Sequence, residues 1–154
     1  MNEDSSNHRI NDMMDLLDSE IDSARDLNEL YARVCDLVVG VGSYCMAWVG
    51  LAESNEEQTV RPMAHSGFNS GYIESIKISW SNHANGKGPT GRAIRTGEVQ
   101  IVNDVSTDLG MRPWRELALA GGYNSCISLP LKDNVSIFGA IVVLACEKQK
   151  FNDI

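Results

Sequence analysis

The sequence predicts an α+β domain: an antiparallel sheet with helices on one face and long connections across the other. Three observations carry this reading. Apolar residues recur at helical spacing over residues 10–39; the period then changes to that of strands; and the strands form two hairpins, with single strands and short helices between them. A chain of 154 residues forms one domain with room for a single core.

The first helix is predicted over residues 8–25, where Ile10, Met14, Leu17, Ile21 and Ala24 make a short seam with coiled-coil spacing. Leu27, Tyr31, Val34 and Val38 form a second stripe out of phase with it, so a new helix is expected over 27–39. Asp26 is placed to cap that helix through the Glu29 amide, and Gly40 and Gly42 to end it. The chain therefore divides into a linker and dimerisation helix, 1–25, and a folded domain, 26–154.

Residues 44–51 (YCMAWVGL) and 59–65 (TVRPMAH) flank the polar turn 53–57 and read as a hairpin. Residues 71–76 are expected to form a short helix leading into a strand at 77–80. A Gly-rich segment, 86–91, opens a short helix that runs through Thr96 and stops at Gly97. A strand at 99–102 and a helix at 114–120, with Pro113 in its first turn, come next. Residues 125–131 and 137–146 make the second hairpin around 132–134. Residues 138–145 (FGAIVVLA) are apolar on both faces, which places this strand in the middle of the sheet. On 125–131, Ser125, Ile127, Leu129 and Leu131 share the face expected to meet the helices. Cys126, Ser128 and Pro130 share the other, small and partly polar, as the floor of a ligand cavity should be.

Charge excludes some functions. The net charge is −8, and residues 1–30 hold nine acids against Arg9 and Arg25, leaving −1 for the rest. No basic stripe is present to replace phosphate counterions, so nucleic-acid binding is not expected. No apolar run reaches the roughly 20 residues that cross a bilayer, and the acidic N-terminus is not a signal peptide. The expected location is the cytoplasm, without membrane contact. The cysteines at 35, 45, 126 and 146 show no C-x-x-C and no His at ligand spacing. They are expected to be buried, reduced thiols rather than a zinc or disulfide framework.

Motifs for chemistry are few. Gly86-Lys87-Gly88-Pro89-Thr90-Gly91 fits G-x-G-x-x-G, but the polar residues 81–85 precede it where a dinucleotide fold needs a hydrophobic strand, and the helix after it is short. It is no P-loop either, since Ser81 stands at the first Gly position and Gly88 follows the Lys. No nucleophile elbow and no distinctive carboxylate pair is present. His65 ends a strand and reads as a structural histidine or a ligand contact; His83 lies in a polar loop. Trp114 sits between Arg112 and Arg115. Either Trp114 plugs the core while the arginines pair with surface acids, or the segment is a lid with an Arg facing an anionic ligand group. Trp48 and Trp80 fall in strands, and all three tryptophans are expected on one side of the sheet.

The segments as a set resemble the GAF domains of bacterial sensor kinases and cyclic-di-nucleotide signalling proteins. The residues that carry the likeness are Ala47-Trp48-Val49-Gly50-Leu51, Val60-Arg61-Pro62-Met63-Ala64, Gly67-Phe68 and Gly71-Tyr72. They continue with residues 88–97 (GPTGRAIRTG), Val102-Asn103-Asp104, Pro113-Trp114-Arg115, residues 122–125 (GYNS) and Leu129-Pro130-Leu131. The resemblance implies a six-stranded antiparallel sheet, N-terminal helices on one face and a loop- and helix-covered pocket on the other, as in GAF and PAS domains. It also implies a non-catalytic sensory module that binds a small molecule and signals, through a homodimer of terminal helices, to an output domain in the same full-length chain. Such domains continue past the equivalent of Phe151 into another helix, so the sequence reads as an excised fragment.

Subfamily chemistry narrows this. No Cys is followed by His, so a covalent bilin is not expected. Pro89-Thr90 stand where the free methionine sulfoxide reductases carry a catalytic Cys, and the Asn-Lys-Phe-Asp-Glu signature of cyclic-nucleotide binders is absent. Haem through His65 or a Cys stays open, and no cofactor is assigned. The candidate pocket comprises Trp48, His65, Trp80, Thr90, Asp104 and Arg112, with Trp114, Arg115, Tyr123, Cys126 and Ser128. The competing readings are a structural dimerisation module with a vestigial pocket and a cysteine-based redox enzyme.

Overall fold

A computed structural model of the chain describes residues 8–9, 11–16, 26–69 and 71–152. Residues 8–9 and 11–16 are helical; the rest of the predicted 8–25 helix, with most of its seam, lies outside the described residues. Helix α1 (Leu27–Gly42) begins where the sequence places it, with the Asp26 carboxylate accepting the Glu29 N–H at 2.8 Å. It runs through both glycines instead of stopping at 39, and ends at Ser43 in the left-handed region, φ 57°. A single glycine costs a helix only about 1 kcal/mol relative to Ala. At Gly42 its bareness has a use: a Cβ there would sit 2.2 Å from the Tyr44 ring, which folds back over the helix end.

Among the described residues five strands form the sheet: β1 (Met46–Ala52), β2 (Val60–Gly67), β3 (Gln100–Val102), β4 (Ser125–Lys132) and β5 (Ile137–Ala145). Their order is β2-β1-β5-β4-β3, with every neighbouring pair antiparallel. The doubly apolar β5 is central, as its sequence requires. Helices α2 (Tyr72–Ser75), α3 (Pro89–Thr96) and α4 (Arg115–Ala120) lie in the connections, with 3₁₀ turns at Ala84–Gly86 and Leu109–Met111. Among the described residues, no helix is long and apolar enough to cross a membrane.

The expected sixth strand at 77–80 is not formed. It is reduced to one bridge, Thr59 to Ser79, flanked by Val60 N–H to Ile78 O (2.9 Å) and Trp80 N–H to Gln58 O (2.8 Å). The reason lies in β2. Donors facing this outer edge alternate, so the one after Val60 belongs to residue 62, a proline without an N–H. Pairing stops there.

Each sheet face has its own core. On the α1 face, Val34, Cys35 and Val38 pack on Ala47, Val49, Ile127, Val143 and Ala145, with Phe151 closing one end. On the opposite face Met46, Trp48, Cys126, Val142 and Leu144 are covered by Tyr72, Ile94, Met111, Trp114 and Tyr123. The parity predicted for β4 is therefore observed: Ile127 faces the helix and Cys126 the connections.

The expectation of four reduced cysteines is overturned for two of them. Cys45 and Cys146 form a disulfide, their Cα atoms 6.0 Å apart. They flank β1 and β5, and because Met46 pairs with Leu144 and the Cys45 N–H meets Leu144 O at 3.0 Å, the strand register brings them together. Cys35 and Cys126 are buried free thiols, as expected. Beyond the disulfide, the segment 147–152 is held by Lys148 to Asp104 (3.0 Å), by Gln149 N–H to Asn103 O (2.8 Å), and by Phe151 stacked on Tyr44 with ring centres 5.3 Å apart.

Candidate functional site

Cross-strand pairing sets the floor of the site. Trp48 lies opposite Val142, and Leu144 opposite both Met46 and Cys126, so Trp48, Val142, Leu144 and Cys126 adjoin on one face. Tyr72 of α2, Ile78, Pro89 and Thr90 at the start of α3, Met111 and Trp114 cover them and enclose a cavity of about 20 Å³. That is room for about one water.

The cover is pinned by specific bonds. The Trp114 indole N–H donates to Lys77 O at 3.0 Å, tying the 109–114 turn to the end of α2's connection. Arg115 donates from Nε to Val105 O (3.1 Å) and from Nη2 to Asp108 O (2.6 Å), which closes its own loop. The Gly-rich segment is a structural knot. Arg95 Nη1 donates to the carbonyls of Trp80, Ser81 and Gly86, and a Cβ on Gly91 would sit 2.3 Å from Gly86 O. Its glycines serve close backbone packing, not a phosphate cradle.

Polar atoms in the site are few. Thr90 Oγ1 and Ser128 Oγ lie 3.3 Å apart, both buried, bonding α3 to β4. Trp48 is 1 % exposed, and its Nε1 has no hydrogen-bond partner among the described residues; Arg92 Nε is in the same state. A Cβ on Gly50 would sit 2.6 Å from Trp48 Cζ3, so the far edge of this ring overlies Gly50 and Val60. The opposite edge carries the N–H. Burial pushes the Cys126 thiol up to about 12, with Asp108 adding to the shift and Arg92 opposing it. At neutral pH it is a protonated thiol on an apolar wall, not a nucleophile.

Of the predicted pocket residues, the structure brings Trp48, Thr90, Trp114 and Cys126 to the cavity, with Ser128 behind Thr90. The others serve elsewhere. His65 is exposed on the edge strand β2, with Nε2 3.4 Å from Asn69 Nδ2. Trp80 is half-buried and donates to Glu53 O at 2.8 Å. Asp104 accepts from Ser106 and meets Lys148; these contacts hold its carboxyl below the usual carboxylate range. Arg112 is exposed and Arg115 braces its loop. Tyr123 is fully buried, donating to Phe68 O and edge-on to Tyr72 at 5.2 Å.

The single cavity expected among these residues is thus largely filled. Met111, Tyr72 and Ile78 fill it; the sequence reading did not place them in the pocket, because these short segments are too brief for a period to show which face meets the sheet. Val142 and Leu144 were missed because β5 is apolar on both faces. The site does not fit a haem: His65 lies outside it and the volume is far too small. Among the described residues, no group of three His, Cys, Asp or Glu side chains could hold a metal ion.

A family model described as GAF domain matches residues 24–154. No curated protein matches the chain. Among solved structures it is similar to the GAF domain of an Acinetobacter phosphoenolpyruvate-protein phosphotransferase (TM-score 0.70, 17 % identity, covering 91 % of this chain and 78 % of that one). It is also similar to the free methionine-R-sulfoxide reductase of Neisseria meningitidis solved with its substrate (0.69, 15 %, 88 % and 72 %). A third is a mutated NreA protein of Staphylococcus aureus, altered in its nitrate binding site (0.62, 17 %, 77 % and 88 %). At these identities the likeness is one of fold.

Proposed function

The chain belongs to the GAF domain family, and we propose that it is a non-catalytic regulatory domain whose cavity takes a compact hydrogen-bond acceptor of a few heavy atoms. The observation that carries this is the buried Trp48 N–H, unpartnered in a residue that lines the small cavity. A buried donor left unmade costs about 1–3 kcal/mol, a cost that an acceptor in the cavity removes. The other two tryptophans, by contrast, both reach a backbone carbonyl. NreA's nitrate site supports the reading by analogy: nitrate is a compact ion with acceptor oxygens, and is the first probe to try. Occupancy would be relayed through Met111 and Trp114 to the covering loops, and by terminal helices of a homodimer to an output domain.

The test is native mass spectrometry of the purified chain, followed by thermal titration with nitrate, nitrite, formate and acetate. One of these is expected to raise the melting temperature of the wild type and not that of Trp48→Phe. A second reading, a dimerisation module with a vestigial pocket, is favoured by the small volume itself. It stands if the protein is empty and no compact acceptor shifts its melting. Deleting residues 1–25 should then give a monomer.

A further inference from the structure

The four cysteines fall into two pairs of opposite chemistry. Cys35 and Cys126 lie in the two cores, and burial pushes both thiols up to about 12. Cys45 is half-buried and Cys146 exposed, so a thiolate from solution reaches the bond they form. The bond also has a particular place. It joins the residue before β1 to the residue after β5, 101 positions on, so that all five strands lie inside the covalent ring, with α1 and the 147–152 segment outside it. Neither cysteine belongs to a strand, so breaking the bond removes no ladder hydrogen bond between β1 and β5.

We propose that Cys45–Cys146 is a reversible thiol–disulfide modification site that sets how firmly the 147–152 segment is held to the sheet. The chemical class of reactant is a small disulfide such as oxidised glutathione. The exposed Cys146 thiolate attacks one sulfur of the oxidant, expels one thiolate and leaves a mixed disulfide. The Cys45 thiolate then attacks Cys146 Sγ and expels the second. Two electrons pass from the protein sulfurs to the oxidant, and the two protein thiol protons end on the two small thiols released. Reduction by two small thiols is the reverse.

In the reduced state the segment keeps weaker holds. These are Lys148 on the half-exposed Asp104, Gln149 N–H on Asn103 O, Ser125 Oγ–H on Glu147 O, and the Phe151–Tyr44 stack. The polar contacts among these are screened or single and open locally at far lower cost than the sheet; Phe151, buried at the end of the α1-face core, is the one firm anchor that remains. In a compartment with a reduced glutathione pool the tie forms when oxidant rises; in an oxidising one it is permanent. The thiols that must not take part are kept out by burial, so the exchange has one product.

The experiment equilibrates the whole chain in glutathione buffers from fully reduced to fully oxidised. Acid quenching, alkylation and peptide mapping then count free thiols, and amide hydrogen exchange is followed over 147–152. Cys45 and Cys146 are expected to change together in one two-electron transition within the glutathione range, while Cys35 and Cys126 stay free. Segment exchange should be about tenfold or more faster in the reduced form, with β5 unchanged. Cys146→Ser and Cys45→Ser should each match the reduced wild type; the wild-type comparison needs neither variant to fold. A bond that survives reduced glutathione until the protein unfolds, a pair that stays dithiol in oxidised glutathione, or equal segment exchange in both forms overturns the proposal.

Discussion

The two faces of the sheet are covered by different means. The α1 face is mainly aliphatic, and regular elements supply most of it: Val34, Cys35 and Val38 from one helix stripe against Ala47, Val49, Ile127 and Val143. The opposite face is aromatic and covered by connections, so each of its polar atoms needs an individual partner. Trp114 and Trp80 find carbonyls; Trp48 does not. A periodic face needs only apolar residues of suitable size, whereas an irregular cover needs specific bonds and leaves a site where one is missing.

The largest test of that difference removes a bulk residue from each side. Trp114→Ala and Ile127→Ala should cost ~3–5 and ~2–5 kcal/mol, read as loss of urea stability. Only the first should also open the cavity, making Trp48 fluorescence quenchable by iodide in the folded state; equal quenching in both variants would break the comparison. A finer test replaces indoles by a ring without an N–H. Trp114→Phe removes the donor to Lys77 O and should cost about 0.5–1.5 kcal/mol beyond its lost volume. Trp48→Phe strands nothing. Its urea midpoint should therefore fall less, and an equal fall would mean that Trp48 Nε1 is bonded after all.

Smaller effects belong to the helix side and the C-terminal segment. Asp26→Ala removes the cap of α1 and should cost about 1 kcal/mol, seen as a lower midpoint with unchanged cavity ligand response. The Asp104 contacts hold its carboxyl below the usual range, so their contribution is complete above pH ~4 and is lost as pH falls through the lowered value. Amide exchange over 147–152, corrected for its intrinsic pH dependence, should then rise on acidification before the sheet amides respond. Asp104→Asn should remove that step.

Much of this arrangement was legible in the sequence where a local rule decides. The Asp26 cap, the parity of Ile127 against Cys126, the central position of a strand apolar on both faces, and the Gly97 helix stop each depend on a few adjacent residues. What was not legible depends on pairing at a distance. Cys45 and Cys146 meet only because β1 lies beside β5, and the 77–80 strand fails because a proline on another strand lacks a donor. His65 read as part of an apolar strand, but its exposure follows from β2 being the sheet edge. In the site, Trp48, Thr90, Trp114 and Cys126 could be read off the sequence, whereas the residues that narrow the cavity come from segments without period.

The adjacency of β1 and β5 also sets how the domain carries a load. The chain enters the sheet at Met46 and leaves it at Ala145, at the same end of two neighbouring antiparallel strands. Tension between α1 and the outgoing segment therefore peels the two strands apart one hydrogen bond at a time, the geometry in which a ladder resists least. With Cys45 bonded to Cys146, the pull passes from one side to the other through sulfur and never reaches the ladder. On the proposed exchange, the same domain would be a weak mechanical link when reduced and a stiff one when oxidised.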